Sequence, residues 1–293
     1  MDRWKIYART VTLGIHMNYE NRVVAYIDII GFKSLLDQTV KDNQDDIEKI
    51  KQIIRAYDLI KEILEEDAEL NKLLANKSSR QVTIFSDLIV ISFKANEPGE
   101  VFYTLLQIKH IIMGLLNLGL LCRGAVTKGK LIHKNEYIFG PALVEAYMLE
   151  TKAALYPRVI LERKIVEIGA KHRSPGHILS EERKYVESLL EMDSDGMYYV
   201  DYFFKAHQEL DDPDYDFPAY IDNLGKIIRK GLMSSTHHFK ADIRIKYSWM
   251  RERYNEMVDT VTGKREIAGL QRMGLSELAE FYSKLNKISG YKH

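Results

Sequence analysis

Apolar and polar positions along this chain follow two periods. Val23-Val24-Ala25-Tyr26-Ile27-Asp28-Ile29-Ile30 is a near-continuous, largely β-branched run ending at Gly31-Phe32, the pattern of a buried strand. A second run, Val82 to Phe93, is apolar except around Ser86-Asp87, which predicts two strands joined by a hairpin tip. Between them Ile47, Ile50, Ile53, Ile54, Tyr57, Ile60, Ile63 and Leu64 recur at helical spacing over 45–74, with Glu and Lys on the other face. That is a long amphipathic helix. After Glu97-Pro98-Gly99, Val101 to Leu118 reads as a second, strongly apolar helix stopped by Gly119. Leu120 to Gly129 reads as a strand, with shorter extended pieces at Lys130 to His133 and Tyr137 to Phe139. Pro141 opens a helix to about Leu155 that Tyr156-Pro157 ends, and Arg158 to Leu161 is a further strand.

This order predicts an α+β, ferredoxin-like fold. Strands at Arg22, Arg80, Leu88, Leu120 and Arg158 form a mainly antiparallel sheet, with the two long helices on one face. Residues 22–161 are expected to form this core. Residues 162–293 read as a mainly helical extension packed on it, with a strand-like piece at Met197 to Phe203. Residues 1–21 show no clear period.

Composition narrows the function classes. Lys plus Arg and Asp plus Glu balance at 42 each, so no global field points to nucleic acid or a membrane surface. Cys122 is the single cysteine, set beside Leu120 and Leu121. It reads as a core thiol and leaves no internal disulfide or thiolate metal cluster. No apolar run reaches the ~18–20 residues that span a bilayer, and the N-terminus lacks a signal-peptide pattern. A cytoplasmic protein is expected.

The chemistry lies in two acids. Asp28 interrupts one apolar strand and Asp87 sits at the tip of another. A carboxylate in such a place needs a partner, because burying an unpaired ion costs several kcal/mol. If the strands are neighbours, the two acids could hold a divalent cation; otherwise each caps a backbone or pairs with a lysine. The adjacent His237-His238 pair is poorly arranged to share a metal on a helix.

These residues resemble the class III nucleotidyl cyclase domain over about Arg22 to Leu161. Asp28-Ile29-Ile30-Gly31-Phe32 is similar to the Asp-Ile-x-Gly-Phe of that family's first strand, and Ser86-Asp87 to its Gly-Asp hairpin tip. Arg123-Gly124-Ala125-Val126-Thr127-Lys128-Gly129 is similar to its Arg-x-Gly-x-x-x-Gly strand, and Gly140 to Leu149 to its following helix. The resemblance implies two divalent ions, Mn2+ or Mg2+, held by Asp28, Asp87 and the Ile29 carbonyl. The family's ribose-orienting Asn and phosphate-binding Arg fall on Val144 and Met148, and its adenine-reading lysine falls at or near Thr83. An ordinary adenylyl or guanylyl cyclase is therefore not expected.

Gly140-Pro141-Ala142-Leu143, Ala146-Tyr147, Leu149-Glu150, Tyr156-Pro157-Arg158 and the later Lys246-Tyr247-Ser248-Trp249 resemble the pyrimidine cyclases of bacterial Pycsar anti-phage systems. That resemblance implies a homodimer making cyclic UMP from UTP, or cyclic CMP from CTP, for a separate effector protein activated by the cyclic nucleotide. Its active sites would lie at the interface, with Asp28 and Asp87 from one chain and Arg123, Tyr137 and the Gly140 helix from the other. Arg123 is the first candidate for the transition-state cation, against a structural ion pair. Lys128 and Arg158 follow, and Phe32, Thr83 and Tyr137 are candidate substrate contacts, with core packing as the alternative for Tyr137. A catalytically inactive cyclase fold, or another two-metal enzyme on a similar sheet, remains open at this point.

Overall fold

The computed structural model describes residues 18–73, 78–134 and 137–290, and the side chains of 66–73 lie outside that description. Strand β1 (Glu20–Ile30) leads through Gly31 into the short helix α1 (Phe32–Asp37). Gly31 has φ 79°, a left-handed turn that glycine enters without steric cost. A small hairpin, β2 (Val40–Lys41) and β3 (Gln44–Asp45), precedes α2 (Ile47–Leu73). Strands β4 (Gln81–Phe85) and β5 (Leu88–Lys94) form the hairpin around Ser86-Asp87, and α3 (Glu100–Asn117) follows. Next come β6 (Leu121–Lys134), β7 (Tyr137–Phe139), α4 (Pro141–Lys152) and β8 (Val159–Leu161).

The sheet order is β4-β5-β1-β6-β8-β10-β9, with β7 paired to β6. Along β4, β5, β1 and β6 each strand is antiparallel to its neighbour, and β8 runs parallel to β6. This is the ferredoxin-like arrangement expected from the order of elements, with β5 placed between the two strands that α2 connects. Residues 162–293 add α5 (Arg163–Lys171), α6 (Leu179–Ser188), β9 (Leu190–Met192) and β10 (Tyr198–Val200). The two strands extend the same sheet. Helices α7 (Pro213–Ser234), α8 (Ala241–Val261), α9 (Lys264–Arg272) and α10 (Ser276–Lys284) complete the chain. No helix among the described residues is long and apolar enough to cross a membrane.

Side-chain alternation gives the sheet two unlike faces. Val23, Ala25, Ile27 and Ile29 join the main core with Ile60 of α2 and Leu105, Ile108, Ile111 and Leu115 of α3. Each fully buried Ile or Leu contributes about 1.5–3 kcal/mol relative to exposure. Cys122 is buried in the same core, as expected. On the opposite face Val24, Val90 and Leu131 pack with Ala142 and Ala146 of α4, flanked by partly buried Tyr26, Leu88, Ile138 and Leu143. Small residues let α4 lie close: a Cβ at Gly129 would stand 3.1 Å from the Ala142 Cβ. Gly124 is tighter still, because its Cβ would lie 2.4 Å from the Tyr26 carbonyl oxygen. Gly124→Ala must move a backbone strand, and we expect a loss of about 1–3 kcal/mol in denaturant unfolding.

Candidate active site

Asp28 lies on the face that carries α4, and Asp87 lies on the neighbouring strand end. The register places Asp28 opposite Leu88 on β5 and opposite Arg123 on β6. Asp87 immediately precedes Leu88, and its carbonyl accepts a hydrogen bond from the Ile29 amide at 3.0 Å. The two acids therefore occupy adjacent strand ends. Ser86 turns the tip at φ 54°, and the Tyr57 hydroxyl on α2 donates to the Ser86 carbonyl at 2.6 Å. The long helix thus pins the loop that carries Asp87.

Arg123 Nε lies 3.6 Å from Asp28 Oδ2 and 2.6 Å from Glu150 Oε1. Glu150 is the third residue of a buried stripe on α4, after Ala142 and Ala146, spaced four apart so that all three face the sheet. The arginine is thus held by its own chain beside its own Asp28. We therefore propose that Arg123 serves the site of its own Asp28 and not one completed by a partner subunit. Mixing Asp87→Ala chains with Arg123→Ala chains should then restore no activity in heterodimers, since every site lacks one of the two. Product above the single-variant background would contradict that.

Charge at this edge is unbalanced. Burial raises the Asp28 pKa above the ordinary carboxylate value and the Asp87 charge raises it further, against the pull of Arg123 and Lys246. Burial also raises Glu150, opposed first by Arg123. Tyr26, on the same face, is pushed up to about 12 by burial and then by Glu150 and Asp28. A carboxylate raised in the folded state binds protons more readily there than in the unfolded chain. Its contribution to stability therefore falls as pH rises from the unfolded value toward the folded one. Asp28→Asn should accordingly raise the melting temperature at neutral pH and flatten that pH dependence. An acid present only for its ion pair with Arg123 would give the opposite sign.

Two carboxylates and nearby backbone carbonyls are hard oxygen donors, the set that suits Mg2+ or Mn2+. Among the described residues no cluster of three or more His, Cys, Asp and Glu side chains forms a metal cage. Asp28, Asp87 and Glu150 around the one Arg123 leave negative charge at a half-buried edge for a divalent ion to offset. The residues present fit that group.

Other predicted contacts fall elsewhere. Phe32 is buried in the main core with Leu35. Lys128 pairs with Val23 in an unbroken ladder, so alternation turns it to the face opposite Arg123. Tyr137 is half exposed on β7 opposite Lys134, beside Ile138, which packs on the α4 side of the sheet. Arg158 is fully buried and forms ion pairs with Asp193 and Asp195, which excludes it from substrate in this conformation. Val144 and Met148 are exposed on the outer side of α4. Thr83 lies on the same sheet face as Asp28, hydrogen-bonded to His133. The sequence reading missed Glu150, Tyr26, His133 and Lys246 as site residues.

No protein-family model matches the chain, and no curated protein matches it. Two solved structures of a bacterial light-regulated adenylyl cyclase are similar. One is 15% identical over 56% of this chain and 52% of that chain, with a TM-score of 0.38. The other is 14% identical over 57% and 51%, with a TM-score of 0.34. The chain spans about half the length of these structures. So loose a likeness carries no argument about activity, which rests on the residues themselves.

Proposed function

We propose that this chain is a nucleotide cyclase that converts a pyrimidine nucleoside triphosphate, UTP or CTP, to its 3′,5′-cyclic monophosphate and pyrophosphate. The observation that carries the reading is the juxtaposition of Asp28 and Asp87 at adjacent strand ends, with Arg123 against Asp28. In the reaction a bond forms between the ribose 3′-oxygen and the α-phosphorus. The bond to the β,γ-diphosphate breaks, and the 3′-hydroxyl proton leaves to solvent. Mn2+ or Mg2+ held by Asp28, Asp87 and the Ile29 carbonyl would acidify that hydroxyl and neutralise phosphate charge.

The chain's own groups orient and balance charge around this centre. Asp28 and Asp87 are aimed by paired strands and by the pinned tip, so they need little reorganisation. Both ion pairs of Arg123 run through Nε. The Glu150 contact fixes the guanidinium, whose terminal nitrogens would serve the charge developing on the α-phosphate in place of the family arginine. Lys246 of α8, within electrostatic range of Asp28, adds positive potential for the leaving diphosphate.

The chain would act as a homodimer in the cytoplasm. Its product would be a second messenger in anti-phage defence that a separate effector protein reads. The resemblance to Pycsar cyclases supports this part. Val144, Tyr147 and Met148, exposed together on α4, supply an apolar face for a second subunit. The same face also favours the alternative of an inactive docking module, and pyrophosphate release separates the two. Folded protein with UTP or CTP and Mn2+ should release pyrophosphate, and a chelator should stop it. Absence of release with both ions and both nucleotides would favour the docking module.

A further inference from the structure

We propose that the carboxy-terminal half of α7 and the chain after α10 form a binding site for a small phosphate monoester with an apolar or aromatic body, its phosphate held at Arg229. The site shares no residue with the acids at the sheet edge and does not depend on the nucleotide cyclase reading.

Its walls are fixed before any ligand arrives. The chain after α10 lies along α8, where the Asn255 side chain donates to the Ile288 carbonyl at 3.0 Å and accepts from the Ile288 amide at 2.8 Å. Lys287 forms an ion pair with Asp259 of the same helix, and Ile288 is buried. Between this segment and α7 lies a cavity of about 520 Å³, with Leu232 and Ile288 beneath and Arg229, Met233 and Thr236 along one side. A second hollow of about 540 Å³ adjoins it at Arg229 and Met233 and reaches Lys230. A smaller one, about 260 Å³, opens from Arg229 toward Tyr254. Arg229 thus stands where all three meet. Small-molecule sites occupy about 300–1,000 Å³, so the space suits a compound of nucleotide size and not a macromolecule.

Charge decides what kind of compound. Lys226 is balanced by Asp222 at 2.6 Å, Lys284 by Glu280 and Lys287 by Asp259. Arg229 and Lys230 have no ion pair among the described residues. Gly225, one turn earlier, leaves room for the arginine to lie against the helix. A Cβ there would stand 3.1 Å from Arg229 Nη1 and 2.9 Å from the Tyr254 hydroxyl, with which the arginine hydrogen-bonds. The guanidinium is therefore positioned in advance, which lowers the cost of binding. It has five N–H donors in a planar fork, a match for phosphate or carboxylate oxygens. Two adjacent unbalanced cations favour a dianion. A phosphate monoester carries about −1.5 to −2 charges at neutral pH, and a carboxylate only one. Met233, one turn on from Arg229 and 75% exposed, offers a polarizable thioether on which an aromatic body can rest.

The test is calorimetric titration of the full chain with naphthyl phosphate, naphthoate, naphthol and inorganic phosphate, with a chelator present so that no divalent ion supports binding at the acids. We expect naphthyl phosphate to bind once per chain and more tightly than the other three, by about tenfold or more over naphthol, which lacks the charge. Its affinity should fall as pH drops through about 6, where the second phosphate charge is lost. Arg229→Ala should weaken it about tenfold or more. Should that variant fail to fold, Met233→Asp places an anion at an exposed position in the same hollow and should abolish binding, with the fold checked by circular dichroism. Naphthoate binding as tightly as naphthyl phosphate, or unchanged affinity in folded Met233→Asp, would overturn the inference. So would binding to phosphatidylcholine vesicles doped with phosphatidic acid but not to naphthyl phosphate, which would mark a lipid surface contact instead.

Discussion

Asp28→Ala and Asp87→Ala should each lower cyclic-product formation by about a hundred- to a thousandfold or more, while the chain still folds. Both acids lie on one edge, level with Arg123 across paired strands, so neither can substitute for the other's position. Removal of Asp28 also leaves Arg123 paired to Glu150, which limits the structural damage. Asp28→Asn keeps the shape and loses the charge, so it should be as inactive as alanine. Near-normal turnover in a folded Asp28→Asn protein would show that the carboxylate is not a ligand or charge partner in the reaction. Product assays alongside circular dichroism make the distinction.

The largest stability effect should come from a different place. Arg158 is fully buried and forms ion pairs with Asp193 and Asp195. Trp249 of α8 donates to Asp193 Oδ2 at 2.7 Å and stacks on Tyr156 with ring centroids 5.5 Å apart. The guanidinium carbon sits 5.1 Å from the Tyr156 ring centre. One residue after α4 thus ties the sheet, the β9–β10 turn and α8 together. Asp193→Ala would leave a buried cation with only the half-exposed Asp195 and would strand an indole N–H, and we expect a loss of about 3–5 kcal/mol. That is a large share of the roughly 5–15 kcal/mol that holds a domain together. Asp195→Ala, at the exposed end of the pair, should cost only about 1 kcal/mol. Equal losses from the two variants in denaturant unfolding would contradict this account.

What could be seen in the chain follows from how local each signal is. The apolar runs around Asp28 and Asp87, the periodicity of α2 and α3 and the breaks at Gly31, Gly119 and Pro141 are encoded within a few residues. The core strands and helices were accordingly legible. So was the acid pair, because a carboxylate inside an apolar strand is anomalous without any partner being known. Lys128 illustrates a signal that was present but unused. It lies five residues from Arg123, an odd separation, so strand alternation alone sends the two to opposite faces. Glu150 was also within reach: Ala142, Ala146 and Glu150 repeat every four residues on one helix face, and an acid continuing a stripe of alanines needs a buried partner. Arg158 could not be read correctly, since Asp193 lies 35 residues away and Trp249 farther still. His133 of β6 meets Thr83 of β4 and Ser92 of β5, and nothing in the local sequence distinguishes that histidine from a solvated one.

Incubation of the wild-type chain with ATP, GTP, CTP and UTP together, once with Mn2+ and once with Mg2+, followed by mass spectrometry of the nucleotide products, tests the central claim most directly. The account predicts a 3′,5′-cyclic pyrimidine monophosphate, led by cyclic UMP, formed in step with pyrophosphate and lost in Asp87→Ala. Cyclic AMP or cyclic GMP as the main product would contradict the pyrimidine assignment. No cyclic nucleotide from well-folded protein with either metal would contradict the catalytic reading of Asp28 and Asp87.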